Sequence, residues 1–230
     1  MKTEMASSFG QAYLRILLCL SASCLLSAFA CCSSTAAQEN SVVYCANLIY
    51  ANDKTSVCFS AGFMDDVNQR TNIVASGKFS PVAMDSHELY NYPFAVMTGE
   101  GRFRLTNSER DNLRNYLLNG GFVVASAGCS SREWSRSFKE ELDKVFPDVV
   151  LKKIEFSHPI FNTVYEIRRF EGKAFLEGLE IDGRIALVFS SNGLNDSKAS
   201  DNEDCCCCGA EELRNARQIN VNLMVYAVTH

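Results

Sequence analysis

The stretch YPFAVMTGEGRFRLTNSERDNLRNYLLNGGFVVAS, residues 92–126, decides the fold. It opens and closes on apolar runs that are typical of strands buried on both faces. Between these runs, Thr106 and Glu109 have the spacing of a capping box, which begins a helix. Apolar residues then recur at helical spacing until a double glycine at positions 120–121 ends the helix. The stretch therefore predicts a unit of two parallel strands joined by a helix.

The same alternation extends to both sides of this stretch. Upstream, residues 42–51 are β-branched and apolar and predict a buried strand, followed by a helical face that begins near Phe59. Downstream, Ser130 and Glu133 form a second predicted capping box, and residues 149–156 can form a further strand. Strands that alternate with amphipathic helices predict a three-layer α/β sandwich with a mostly parallel sheet, of the flavodoxin-like type.

The C-terminal part of the chain has a different pattern. The apolar runs 175–181 and 184–190 are separated by Asp182 and Gly183, a pair typical of a two-residue hairpin turn. Residues 212–230 place apolar side chains near one helical face, which predicts a docking helix. The domain is thus expected to end with a hairpin and a helix.

The N-terminal segment is typical of a signal peptide. An apolar run over residues 16–30 follows a basic start, and Thr35 and Ala37 have the small side chains that precede a cleavage site. The run is shorter than the ~20 residues that a membrane-spanning helix needs. We expect residues 1–37 to be removed, leaving a single α/β domain over residues 38–230 that is periplasmic or secreted. An uncleaved or lipid-linked anchor is the alternative.

Charge limits the classes of partner. Beyond position 37 the chain carries 20 basic and 26 acidic residues, a net charge of −6. Basic residues interleaved with aromatic residues, as in nucleic-acid-binding surfaces, do not occur in the sequence. The sequence therefore argues against a nucleic-acid partner, and no membrane partner is expected after cleavage. It does not indicate the ligand or the oligomeric state.

Motifs in one order and spacing run through most of the chain after the leader. They are Asn47 to Tyr50, Tyr92-Pro93-Phe94 with Thr98-Gly99, Leu113-Arg114-x-Tyr116-Leu117, Gly120-Gly121-Phe122, Val145-Phe146-Pro147, His158-Pro159-x-Phe161, Asp182-Gly183-Arg184, and Asn220-Val221-Asn222-Leu223 with Tyr226-Ala227. This pattern resembles the bacterial domain-of-unknown-function 4159 family. The resemblance implies a fold like that of class I glutamine amidotransferases, and it implies no established reaction.

The chain departs from that family pattern at one place. After the strand that follows the double glycine, many relatives carry an acidic pair, whereas this chain has Ser126, Ala127, Gly128 and Cys129. A metal-binding or polar role of the acidic pair therefore does not carry over to this chain.

Cys129 and His158 are the candidate catalytic residues. Cys129 follows an apolar strand and precedes a capped helix, where amidotransferases hold their nucleophile and where helix amides stabilise a thiolate. The glycine spacing of a nucleophile elbow is missing around it, and no His-x-Glu pair follows. A packed or disulfide-bonded cysteine is therefore favoured over a nucleophile. His158 precedes Pro159 among apolar residues, which favours a structural histidine over a base.

Four successive cysteines, Cys205, Cys206, Cys207 and Cys208, follow the last predicted strand. Adjacent side chains of an extended chain point to opposite sides, so four successive thiolates cannot surround one tetrahedral ion. Cys205 and Cys208 alone have a spacing that a zinc site can use. Because an exported protein meets an oxidising compartment, disulfides are the first expectation, zinc is the second and an inert loop is the third. The disulfide candidates are Cys45, Cys58, Cys129, Cys205, Cys206, Cys207 and Cys208.

The sequence therefore predicts an exported α/β domain that acts as a binding or structural module rather than as an enzyme, with no cofactor expected. A thiol-dependent amidase-like hydrolase that uses Cys129 is one alternative. A metal-binding protein that uses the loop containing Cys205 and Cys208 is the other.

Overall fold

The computed structural model describes residues 41–55, 58–170, 174–196, 213 and 215–230. Asn40–His230 form one compact unit. Its strands are β1 Val43–Ile49, β2 Ala75–Ala83, β3 Phe94–Gly99, β4 Phe122–Ala127, β5 Lys152–Lys153, β6 Glu177–Ile181 and β7 Arg184–Ser190. Its helices are α1 Phe63–Arg70, α2 Asn107–Leu118, α3 Arg132–Val145 and α4 Ala216–Thr229.

The strands form one seven-stranded sheet in the order β2-β1-β3-β4-β7-β6-β5. Along this order, neighbouring strands are parallel from β2 through β1, β3 and β4 to β7. The pairs β7–β6 and β6–β5 are antiparallel. This confirms the predicted mostly parallel sheet. The first five strands in this order follow the 2-1-3-4-5 pattern of doubly wound α/β folds, with β7 in the fifth place.

Helices cover both faces of the sheet and give three layers. One core cluster joins residues of α1 and α4 to the side of the sheet that carries Phe94, Phe122 and Val188. The other cluster joins α2 and α3 to the side that carries Ala95 and Val123. Because β3 and β4 are buried at every position, they need continuous apolar sequence, as the opening stretch has.

The two predicted helix starts have different outcomes. At α2 the capping box is confirmed: Glu109 N donates to Thr106 Oγ1, and Thr106 N donates to the Glu109 carboxylate. At α3 the predicted cap is wrong by one residue, because Ser131 is the N-cap and accepts from Trp134 N. Ser130 instead has a left-handed backbone, with φ 50°.

Three other boundaries depart from the sequence prediction. The first helix begins at Phe63, and Phe59 is buried in the loop before it. The strand predicted over residues 149–156 shortens to Lys152–Lys153, which pairs with β6 at the sheet edge. The sequence SPVAMD, residues 80–85, predicts only a short extended segment, whereas the structure has the longer strand β2, Ala75–Ala83, which includes its first part.

The C-terminal prediction is confirmed. Asp182 and Gly183 have φ angles of 50° and 80°, as a two-residue hairpin turn between β6 and β7 requires. Helix α4 docks on the sheet with most of its residues buried, including Asn220 and Asn222. None of the helices in the described part of the chain combines the length and apolarity needed to cross a lipid bilayer.

Candidate functional site at the carboxyl edge of the sheet

The carboxyl ends of the parallel strands meet at one edge of the sheet, here called the carboxyl edge. The chain goes from β1 to β2 on one side and then returns to β3 on the other side. In doubly wound folds, ligands bind outside the carboxyl ends of the strands near such a reversal. The fold therefore predicts a ligand site at the carboxyl edge.

A row of three hydroxyl side chains crosses this edge. Thr98 on β3 is in register with Ser126 on β4, and Ser126 is in register with Ser190 on β7. All three residues are at most 3% exposed. Each of the three comes two residues after a valine, at position 96, 124 or 188, and these valines belong to the core under α1 and α4. Because side chains two residues apart on a strand point to the same side, the three hydroxyl side chains share that face of the sheet.

Helix α4 and the segment after β7 complete this polar cluster. Leu194 N donates to Ser126 Oγ at 2.8 Å, and Asn220 Nδ2 donates to Leu194 O at 2.8 Å. Among the described residues, Ser190 Oγ and Asn220 Oδ1 have no hydrogen-bond partner. A buried polar atom without a partner costs about 1–3 kcal/mol, so these two atoms need an explanation other than stability.

Strained backbone flanks the hydroxyl row. Ala51, Asn52 and Asp53, directly after β1, have φ angles of 48°, 60° and 68°, and Cys129 and Ser130, after β4, have φ angles of 48° and 50°. The left-handed region is unfavourable for residues with a Cβ, and such strain concentrates at functional sites.

Side chains of the surrounding protein hold these strained turns in place. Ala51 N donates to Glu109 Oε1 at 2.6 Å, and Ser130 Oγ donates to Asn192 O at 3.0 Å.

Tyr50 directly follows β1, and its side chain packs on the opposite face of the sheet. Its hydroxyl donates to Thr98 O at 3.0 Å and accepts from Trp134 Nε1 at 2.6 Å. Burial raises the pKa of Tyr50 to about 12, although the Trp134 hydrogen bond lowers it, so the phenol stays neutral. A Cβ at Gly99 would lie 2.5 Å from the Tyr50 hydroxyl, so this close approach requires glycine. Tyr50 therefore fixes the end of β3 through its hydrogen bond to Thr98 O.

The two predicted catalytic residues, Cys129 and His158, lie at opposite ends of the parallel strands. Cys129 follows β4 at the carboxyl edge. His158 packs on the Tyr226 ring at 5.7 Å, and Tyr226 accepts from Ile185 N near the start of β7. The seven-residue strand β7 runs between these two ends of the sheet. At about 3.3 Å per residue, its length separates Cys129 from His158 by roughly 20 Å.

The environment of His158 is that of a structural residue. Its Nδ1 accepts from Ile160 N at 3.2 Å and caps a short 3-10 turn, Pro159–Phe161. Burial lowers the pKa of His158; Glu180 acts in the opposite direction and His230 in the same direction. The structure therefore does not bring Cys129 and His158 together as a catalytic pair.

The predicted cysteine sites have separate outcomes. Cys45 is a free, fully buried cysteine, so the disulfide expectation is wrong at this residue. Its side chain faces the core with Phe94 and Val96, and burial raises the pKa of its thiol to about 12. Cys58 follows β1, on the same edge as Cys129. The predictions for Cys205, Cys206, Cys207 and Cys208 concern residues outside the part of the chain that the structure describes.

The hydroxyl row had a signal in the sequence. Thr98 and Ser126 are the last residues but one of β3 and β4, and Ser190 is the last residue of β7. A polar residue at the carboxyl end of a mostly apolar parallel strand is typical of a site. Asn220 belongs to the motif Asn220-Val221-Asn222-Leu223, but its helical pattern did not predict that it lies at a site. In the part of the chain that the structure describes, no three His, Cys, Asp or Glu side chains come close enough to hold a metal ion.

Comparison with known proteins gives one match. A family model described as a domain of unknown function, DUF4159, matches residues 45–228. This range contains most of β1, all of β2 to β7, the hydroxyl row and nearly all of α4. A search among curated proteins found no match.

Proposed function

Because the chain belongs to the family described as a domain of unknown function, DUF4159, we propose a function from its site: an exported, non-catalytic module that binds a small polar ligand at the carboxyl edge. Fold alone does not carry function, so the proposal rests on named side chains. We also propose that the fold resembles that of class I glutamine amidotransferases. The sequence motifs suggest this resemblance, and the strand order agrees with it.

The observation that carries the proposal is the pair of unpartnered atoms, Ser190 Oγ and Asn220 Oδ1. Both residues are at most 1% exposed, and neither atom has a hydrogen-bond partner among the described residues. A hydroxyl needs an acceptor for its proton, and an amide oxygen needs a donor. A ligand group that both accepts and donates hydrogen bonds satisfies both requirements.

Binding is favoured over catalysis because the groups that a thiol hydrolase needs are not together. Cys129 and His158 lie at opposite edges of the sheet, and Tyr50 is held neutral by its burial. His158 does not lie within hydrogen-bond reach of Cys129, so it does not activate that thiol. The site at the carboxyl edge offers hydroxyl and amide groups, which position a ligand and do not transform it.

A matched pair of serine variants tests the proposal. Ser126→Ala removes the acceptor of Leu194 N and should lower the free energy of unfolding by about 1 kcal/mol. Ser190→Ala removes an unpartnered hydroxyl and should leave the free energy of unfolding equal or higher. Urea denaturation at pH 7.5 measures both values. Ser190→Ala should also abolish the thermal shift given by any compound found in a panel of small uncharged polar metabolites.

Two results would contradict the binding proposal. One is a Ser190→Ala protein less stable than the parent without ligand, which would make the hydroxyl a structural partner. The other is a single rapid alkylation by iodoacetamide at Cys129 together with amide hydrolysis, which would support the thiol hydrolase.

Export is the second part of the proposal. It is supported by the basic start, the apolar run over residues 16–30 and the small residues before Gln38. Mass spectrometry of protein isolated from the native host should find a mature N-terminus near Gln38 in the exported fraction. An intact Met1 in the cytoplasm would refute export.

A further inference from the structure

The outer side of β6, which faces away from β7, is only partly paired. Strand β5 pairs with it at Glu177 and Gly178. Beyond Gly178 the ladder ends at Lys152, although β6 continues to Ile181. In the described part of the chain, the second half of β6 therefore has no strand on its outer side, and we call this stretch the open edge.

The backbone of Glu180 faces the open edge. Ile154 N donates to Leu176 O at 2.9 Å, so the polar backbone groups of Leu176 point away from β7. In an antiparallel ladder these groups alternate along a strand, and those of Gly178 and Glu180 consequently point the same way. The register shift between β6 and β7 leaves this alternation intact, because the extra residue is Ala186 on β7. The N–H and C=O of the exposed Glu180 are thus placed to pair with a further strand.

The chain before β5 forms the far wall of a hollow beside the open edge. Val149 N donates to Phe146 O at 3.2 Å, which turns the chain at the end of α3. Residues 148–150 then run beside β6 but outside its ladder. The hollow has a volume of about 350 Å³ and is lined by residues 148–150, Lys152, Glu180 and the turn residues 182–183. Ligand sites run from ~300 Å³ upward, so this space holds a short segment of chain.

Carboxylates dominate the lining of the hollow. Asp148, Glu180 and Asp182 face a single lysine, Lys152. All four residues are exposed. Among the described residues, none of the three carboxylates takes part in an ion pair. The hollow therefore has an excess of negative charge that a basic group complements.

Two further basic side chains near the hollow do not offset this charge. Arg184 donates to Gly120 O and Gly121 O, which holds its guanidinium beside β4. Burial lowers the pKa of His158 below its usual value of 6.5, although the nearby Glu180 acts in the opposite direction. His158 is consequently neutral at pH 7.5.

We propose that the open edge binds an extended segment of a partner protein that carries a lysine or arginine opposite Glu180. One residue of such a segment exchanges two main-chain hydrogen bonds with Glu180, as in β-strand addition. Residues directly opposite each other in an antiparallel pair share one face, so the basic side chain lies beside the Glu180 carboxylate. This surface is independent of the carboxyl edge, because the open edge lies beside the amino end of β7.

NMR titration of the backbone amides of the purified protein at pH 7.5 tests the proposal with three matched peptides. The first is acetylated and amidated Thr-Val-Lys-Val-Thr, the second has glutamine in place of lysine, and the third is N-methylated at lysine. The lysine peptide should shift the Glu180 amide and bind about threefold more tightly than the glutamine peptide, as for an opposite-charge cross-strand pair. The N-methylated peptide should bind at least about threefold more weakly than the lysine peptide, because it cannot donate to Glu180 O.

Several results would overturn the proposal. They are equal binding of the lysine and glutamine peptides, undiminished binding of the N-methylated peptide, and an unchanged Glu180 amide. Self-association of the protein through the same amides would also overturn it, because the occupant would then be a second copy of this chain.

Variants locate the binding to the hollow. Asp148→Asn should weaken binding of the lysine peptide about twofold or more and leave the glutamine peptide unaffected. Asp85→Asn is the matched control, because it makes the same change of charge at an exposed residue after β2, on the other side of the sheet. Equal losses in the two variants would overturn the assignment, since net charge would then explain them. Ser190→Ala should bind the lysine peptide normally, which separates this surface from the carboxyl edge.

Discussion

Gly121 shows how one missing side chain decides the packing between α2 and β4. A Cβ at this position would lie 2.4 Å from the Tyr116 ring, whereas a Cβ at the neighbouring Gly120 would meet no atom within 4 Å. Tyr116 is tied to Tyr92 O through its hydroxyl and so has little freedom to move aside. The glycine is therefore required by sterics and not by the backbone conformation.

We expect Gly121→Ala to lower the free energy of unfolding by about 2 kcal/mol, the usual range for overpacking a core. Gly120→Ala is the control: its φ of +94° strains alanine, with an expected loss of about 1 kcal/mol, but no neighbour is displaced. Urea denaturation measures both variants. An equal loss in both would show that Tyr116 shifts freely.

Glu141 on α3 is a buried charge with two partners. Its carboxylate accepts from Arg110 Nε at 2.7 Å and from Lys144 Nζ at 2.6 Å. Burial raises its pKa, but the Lys144 and Arg110 hydrogen bonds and charges outweigh burial and bring the pKa below its usual value of 4.5. A lowered pKa in the folded state means that this carboxylate stabilises the protein above pH 4.5. That contribution is lost as the pH falls through the folded-state pKa.

Glu141→Gln should therefore lower the free energy of unfolding at pH 7 by about 2 kcal/mol, less than for a fully buried pair because Lys144 is half exposed. Its stability should also fall less steeply than the parent's between pH 5 and the acid transition. Unfolding curves collected across this pH range measure the difference. Parallel curves for the two proteins would contradict the assignment.

At the scale of elements, one carboxylate joins the start of α2 to the strained turn after β1. Glu109 accepts from Thr106 N and from Ala51 N, both at 2.6 Å, and it is buried. The capping box thus also fixes the first left-handed residue at the carboxyl edge. Its role exceeds that of an ordinary helix cap.

Thr106→Ala should lower the free energy of unfolding by about 1 kcal/mol, as for a typical N-cap. Glu109→Gln should lower it by about 2–3 kcal/mol, because the two amides donate to a charged group. Amide hydrogen exchange should in addition show faster exchange at Ala51 in Glu109→Gln than in Thr106→Ala. Equal exchange at Ala51 in the two variants would mean that the turn does not depend on Glu109.

The sequence predicts elements well where one rule decides them. The apolar runs of β3 and β4 and the box at Thr106 follow local rules, and the structure confirms them. The cap of α3 depends on two adjacent serines. Ser131 takes the cap, while Ser130 enters a left-handed turn held by Asn192, a contact across 62 positions of sequence. Local sequence does not specify such a contact.

The candidate site was harder to predict because it is assembled from distant parts of the chain. Thr98, Ser126 and Ser190 become neighbours only through the strand order, which puts β7 beside β4. Asn220 joins them from α4 through Leu194. The local pattern instead predicted a candidate nucleophile at Cys129, because this cysteine stands between a strand and a helix.

At the scale of the molecule, three groups of cysteines follow strands that end at the carboxyl edge. Cys58 comes after β1, Cys129 comes after β4, and residues 205–208, which lie outside the described residues, come after β7 in the sequence. This placement supports the prediction of at least one disulfide between residues 205–208 and Cys58 or Cys129. It excludes the buried Cys45 from that pairing.

Non-reducing peptide mapping of exported protein should find such a cross-link, and Cys45→Ala should keep it. Reduction should lower the free energy of unfolding by up to about 4 kcal/mol, because the bond closes a loop of many residues. Fully reduced thiols at all of these positions, together with zinc removable by a chelator, would replace the disulfide with a metal site.

The interior position of β7 also governs the order in which the chain can fold. This strand pairs with β4 across about sixty positions of sequence, and the sheet is continuous only after it has inserted. Pairings between distant segments raise contact order and slow folding. Until β7 arrives, β4 presents an open apolar edge to other chains, which invites intermolecular pairing. Chains that end before Arg184 should therefore aggregate and not accumulate as a smaller soluble sheet, since the centre of the sheet is among the last parts to be synthesised.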